Sequence, residues 1–435
     1  MAVSARAGLL GAVIALGAGC SLITDSFVTN DFSGDEFPIE VDRQSGGIVV
    51  GVREPGGPDL TAVIDLFSPA TLIDPGPGTP VSISSSTLVV LGENGPGGPL
   101  DLPRARLDTS VVALHPCAED TCAIGPAGAL QPFDAVIGAD ALAGDAVRLR
   151  LGDDQIFLLA DIGGGELHRS RACDGVFPAP YRGGGTLVIA GTERSFNGRR
   201  IALQACLGAT PFEQVPQGRR GADALFVLST SIGITILGES AYARYREAQP
   251  LAPELATMPE DTVYLPSGPV TGRRVKIDNI SLVAASSSSP RAPCRQVYAS
   301  HLLIERDCDG DDDCPCEGGD RFCSVPAVVE LGVLGVPELE PTTPPAEIID
   351  VLVVSDATQV LQNVRTELRP NQAEVDGILG TDVLRTVELD ADYPHNRVLA
   401  RCTHDGCVTR PSLTDRDDRA QIQGCLPEPD AGPIR

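Results

Sequence analysis

Phe133-Asp-Ala-Val-Ile-Gly-Ala-Asp-Ala-Leu142 returns, lightly altered, as Val375-Asp-Gly-Ile-Leu-Gly-Thr-Asp-Val-Leu384. Each copy follows an upstream partner of a second kind. Before the first lies Ala62-Val-Ile-Asp65-Leu-Phe-Ser-Pro-Ala-Thr71-Leu-Ile73; before the second lies Phe226-Val-Leu-Ser229-Thr-Ser-Ile-Gly-Ile-Thr235-Ile-Leu237. Thr71 stands six places after Asp65 and Thr235 six after Ser229, so the two segments align without a gap. Two lobes are therefore written in one chain. One of them has a hydroxyl where the other has a carboxylate.

The ordered pair resembles the pepsin-like, two-lobed aspartic protease family. Each lobe of that family carries Asp-Thr/Ser-Gly between apolar strands, then an apolar-apolar-Gly element that crosses the first. Val136-Ile137-Gly138 and Ile378-Leu379-Gly380 match the second element. The first element is degraded twice over: Leu66 and Phe67 follow Asp65, and Ser229 replaces the second Asp, with Thr230 kept and Ser231 in place of Gly. The resemblance runs in outline from about residue 45 to 402, and it implies a mainly β, two-lobed pepsin-like β-barrel fold with few short helices.

Aspartic proteolysis needs two carboxylates close enough to share one proton, their pKa values split by like-charge repulsion. With Ser229 at the second position, Asp65 cannot be base and acid in one turnover. The resemblance further implies a damaged support. Leu66 has no hydroxyl to lock the two loops together, Phe67 is bulky where glycine gives backbone freedom, and Thr230 is all that remains of the lock. Asp65 is then expected to be a buried acid satisfied by nearby N–H groups. Asp223, six residues before Ser229, is a poor substitute partner, and Asp134 and Asp376 read as strand-end acids. A flap hairpin would fall within residues 86–105, its tip Glu93-Asn-Gly-Pro-Gly-Gly-Pro99 lacking an aromatic.

Composition fits an exported globular protein. The chain has 435 residues, enough for two or three domains. Its 47 glycines and 36 prolines suit a turn-rich β protein. A net charge of -26 repels nucleic acid, which is not an expected partner. Arg6 followed by the apolar run Ala7 to Ala18 reads as a signal segment over residues 1–20, too short for a spanning anchor. Leu16-Gly-Ala-Gly-Cys20 resembles a bacterial lipobox, which implies lipidation at Cys20 and a membrane attachment; a plain secretory signal is the alternative. Ser21 leans towards the outer membrane by the same likeness. Removing Cys20 from the 13 cysteines leaves an even set, compatible with six disulfides in an oxidising compartment. Cys117/Cys122, Cys173/Cys206 and Cys402 with Cys407 or Cys425 are plausible pairs.

Along the chain, residues 21–44 read as a tether, 45–172 as the first lobe, 173–412 as the second and 413–435 as a tail. Val147, Leu149 and Leu151 alternate with Arg148 and Arg150, the sign of a half-buried strand. Ser240 to Ala248 is the best helix candidate, and a short turn is expected after each apolar-apolar-Gly element. Asp65 to Asp134 spans 69 residues and Ser229 to Asp376 spans 147. The second lobe's excess is assigned to disulfide-rich surface excursions over about 282–350. Asp307-Cys-Asp-Gly-Asp-Asp-Asp-Cys314 invites a calcium reading but lacks the glycine and glutamate of an EF-hand loop. With five histidines and neither a zinc-hydrolase nor a nucleophile-elbow motif, no metal or cofactor is expected. The expectation is a non-catalytic envelope lipoprotein that binds peptides or envelope proteins. An aspartic endopeptidase using Asp65 and a calcium-dependent adhesion module are the rivals.

Overall fold

A computed structural model describes residues 33–411 apart from 39, 42–44, 92–102, 118–121, 144–145, 154, 160–174, 179, 184–185, 190–191, 197–198, 209–220, 284–299, 306–321, 334–348, 369–373 and 404–405. The protein is mainly β. Among the described residues there are three α-helices: α1 (Glu239–Ala248), α2 (Gln359–Leu368) and the short α3 (Thr381–Leu384).

The sequence duplication is a duplication of strand pairing. In the first half Ile48–Arg53 lies antiparallel to Asp59–Asp65, which runs parallel to Ala135–Gly138. That strand is antiparallel to Thr71–Ile73, itself parallel to Pro103–Ala113, which is antiparallel to Ser82–Leu91. In the second half the same six places are taken by Arg200–Leu207, Ala222–Leu228, Gly377–Leu379, Thr235–Gly238, Ile349–Val354 and Gly268–Ile277, with the same sequence of directions. In the first half Val52 and Arg53 also pair with Val90 and Val89, which brings the strand order back to its start.

Why these residues make strands is plain from their burial. Ala135–Gly138 and Gly377–Leu379 are buried along their whole length, as expected for apolar runs covered on both faces. The crossing leaves no room for a side chain at its closest points. A Cβ on Gly138 would lie 2.4 Å from the Ala70 carbonyl oxygen, and one on Gly377 would lie 2.2 Å from that of Ile236.

A seam joins the halves. Ala146–Arg150 pairs antiparallel with Gln155–Leu159 on one side and with Val387–Asp392 on the other. Val147, Leu149 and Leu151 are buried, while Arg148 and Arg150 face Asp390 and Glu388, their direct cross-strand partners. Arg148 grips Asp390 with two hydrogen bonds of 2.7 Å, and Arg150 pairs with Glu388. The alternation seen in sequence is thus that of a strand with one buried face and one charged face.

Several expectations need adjusting. The stretch read as a tether contains two strands, Ser33–Pro38 against Gln155–Leu159 and Glu40–Val41 against Ile48–Arg53, so this segment joins the body. The excess of the second half is partly sheet: Ser300–Glu305 and Phe322–Val333 pair with each other, and the latter with Ile280–Val283 and Gly406–Pro411. Helix α2 was not anticipated, although Val360, Leu361, Val364 and Leu368 fall on one buried face. Helix α1 and the short helical turns after Gly138 and Gly380 lie where expected. Cys117–Cys122 and Cys402–Cys407 form disulfides, and Cys206 is disulfide-bonded as well. Cys20, Cys173, Cys425, the flap tip, the tail and the acidic Asp307–Asp313 loop lie outside the described residues. The strands flanking that tip form the expected hairpin.

Candidate functional site

Both Asp-equivalent positions close a strand that runs parallel to an apolar-apolar-Gly element, so duplication alone aims them at a common centre. They meet there. Ser229 Oγ donates to Asp65 Oδ1 at 2.9 Å and lies 3.0 Å from Ser231 Oγ. The Phe67 N–H donates to the same Asp65 oxygen at 3.0 Å. Among the described residues no second carboxylate is hydrogen-bonded to Asp65. Asp223 lies six residues up an extended strand from Ser229, roughly 20 Å away along the chain at about 3.3 Å per residue.

Asp65, Ser229 and Ser231 are each 2 % exposed or less. Desolvation pushes the Asp65 carboxyl above its ordinary value, against the opposing help of the Phe67 N–H, the two serine hydroxyls and the Arg200 charge. A carboxyl held towards its neutral form among hydroxyls has no partner with which to split a proton. Its satisfaction by a backbone N–H and two serines is the arrangement a structural acid needs.

Thr230 ties the two loops together. Its hydroxyl donates to the Ile64 carbonyl at 2.7 Å and accepts from the Leu66 N–H at 3.1 Å, while the Ile48 N–H donates to its carbonyl at 3.0 Å. Leu66 makes no reciprocal clasp; its side chain is fully buried in the main core. The chain entering at Ser45–Ile48 is pressed against the same loop. Gly46 sits at φ +73°, and a Cβ there would fall 2.2 Å from Gly233 Cα, so this contact requires glycine.

Phe67 is half-buried beside this centre. Its ring packs against the second half's apolar clusters around Leu361 and Val364, and the Arg200 guanidinium lies 4.2 Å from the ring centroid. Arg200 also donates to the Phe67 carbonyl and is held by Glu367 of α2 at 2.8 Å. The bulky residue noted in sequence is thus fastened from the opposite half.

A second duplicated device was not singled out in sequence. Thr71 Oγ1 donates to Asp140 at 2.8 Å and accepts from the Gly138 N–H at 3.2 Å; Thr235 Oγ1 does the same with Asp382 at 3.0 Å and Gly380 at 3.2 Å. Asp134 and Asp376 are strand-end acids in both copies, accepting from the Thr61 and Leu225 N–H groups at 2.9 Å. Desolvation pushes Asp382 up to about 7. Because the folded form then holds a proton that the unfolded chain releases above 3.8, stability falls as pH rises from about 4 to about 7. At 1.36 kcal/mol per unit this amounts to about 4 kcal/mol. Asp382→Asn should remove that slope, so the variant's denaturant midpoint should rise relative to the parent's from pH 4 to pH 7. Parallel midpoints over that range would contradict it.

Asp74, His115 and Cys122 place ligand-type atoms within 4.8 Å of one another. Cys122 is bonded to Cys117, so its thiolate is spent, and His115 Nδ1 lies 2.7 Å from Asp74 Oδ1. That leaves a hydrogen-bonded histidine–aspartate pair beside a disulfide, short of a three-ligand metal set. No family model matches this chain, and no curated protein matches it.

Proposed function

We propose that this chain is a two-lobed, pepsin-like body whose proton-sharing acid pair has been dismantled, and that it serves as a non-catalytic binding protein of the cell envelope. The observation that carries the reading is the Ser229 hydroxyl donating to Asp65, where catalysis would need a second carboxyl group. Phe67, held by Arg200 and Glu367 where the resemblance calls for a glycine, supports it. The signal-like residues 1–20 and the disulfides favour an oxidising envelope compartment, with Cys20 as the lipid attachment and peptides or envelope proteins as ligands.

The test is digestion of a denatured protein by the purified chain from pH 2 to pH 7, alongside Asp65→Ala. No cleavage above background is expected from either. Acid-dependent cleavage that vanishes in Asp65→Ala would sink the reading and restore the endopeptidase alternative.

A further inference from the structure

We propose that the outer edge of the strand Ser82–Leu91 accepts an extended, positively charged peptide as an added strand. The inference rests on the non-catalytic binding reading and moves the ligand from the Asp65–Ser229 centre to a sheet edge.

On one side this strand pairs with Pro103–Ala113 over its whole length. On the other side its neighbour Ile48–Arg53 pairs only with Val89 and Val90. Beyond Arg53 the neighbour turns away, the turn closed by the Gly57 N–H donating to the Glu54 carbonyl at 2.9 Å. Among the described residues nothing pairs with the outer edge of Ser82–Ser86. Long edges are normally blunted by lysine, proline, a bulge or a charge. Ser82-Ile-Ser-Ser-Ser86 has none of these, its register is regular until Val90/Leu91, and Ile83 is 39 % exposed.

Open space lies against this part of the strand. A cavity of about 810 Å³ opens there, lined by Ser85 and Ser86, by Ser110 of the strand paired with them, by Glu54 and Pro55 past the neighbour's end, and by Phe196. That is the size range of built ligand sites. The small edge side chains let another backbone approach, and strand addition draws its affinity from main-chain hydrogen bonds. Charge selects the occupant. Glu54 and Asp140 line the cavity and no lysine or arginine does. A net charge of -26 opposes a second copy of this chain and favours a basic segment.

The full chain would be titrated at physiological salt with a seven-residue peptide of alternating arginine and valine. An equally charged peptide with proline in place of valine cannot pair and serves as the comparison. The alternating peptide should bind at least ten-fold more tightly, and amide exchange at residues 82–86 should slow. Ser85→Arg should weaken binding at least ten-fold and Ser85→Asp should strengthen it; a folding defect would move both variants the same way. Equal affinity for the two peptides, or no binding, would overturn the inference. Slowed exchange confined to 64–68 and 229–232 would also overturn it while leaving the binding reading standing. A peptide-independent dimer that protects residues 82–86 would assign the edge to self-pairing instead.

Discussion

Replacing Ser229 with Asp is expected to destabilise the protein by about 3–5 kcal/mol at pH 7, the range for an uncompensated buried charge, and by far less at pH 4. The wild-type hydroxyl sits 2.9 Å from a carboxyl group that desolvation already holds above its ordinary value. A second carboxyl at that distance could share one proton with Asp65 but could not ionise beside it. Its folded-state pKa would therefore be raised. The folded form would retain a proton that the unfolded chain gives up near pH 4, so stability would fall as pH rises from about 4 through the folded value. Urea unfolding at pH 4, 5.5 and 7 measures this. An equal loss at all three would mean that residues 65 and 229 do not face each other. Proteolysis need not follow from the second carboxylate, because Leu66 and Phe67 remain.

Thr230→Val should cost about 2–6 kcal/mol, since it strands two buried backbone groups at about 1–3 kcal/mol each. The Leu66 N–H would lose its acceptor and the Ile64 carbonyl its donor, with little change in side-chain volume. Thr230→Ser keeps the hydroxyl and should recover most of the loss. Equilibrium denaturation of the two variants separates the hydrogen bonds from the packing. If valine is tolerated as well as serine, the clasp does not hold the halves together.

The meeting of Asp65 with Ser229 was legible because it follows from order alone: two elements, each present twice, cross in the same sense. The strand Ala146–Arg150 was legible because its alternation records two different surroundings. What faced it was not. Glu388 and Asp390 are ordinary strand acids until the register sets them opposite Arg148 and Arg150. Phe67 was visible as an intruder, but its capture by Arg200 and Glu367 depends on contacts far apart in sequence. Asp140 and Asp382 stand two residues after their glycines in both copies, a signal available in the duplication and passed over. Ser300–Glu305 and Phe322–Val333 were hidden because cysteine, aspartate and proline around them suggest loops, while long-range pairing decides that they are strands.

The seam between Ala146–Arg150 and Val387–Asp392 imposes a timetable on folding. Arg148 must wait for Asp390, 242 residues further on, before its strand is complete. At about 5–20 residues per second of synthesis, that wait is about 12–50 s. Throughout it the early hairpin carries an open edge, the usual starting point for mispairing between nascent chains. Arg148 and Arg150 mark that edge with positive charge, so the side chains that later bind Asp390 and Glu388 also deter premature partners until the acidic strand arrives.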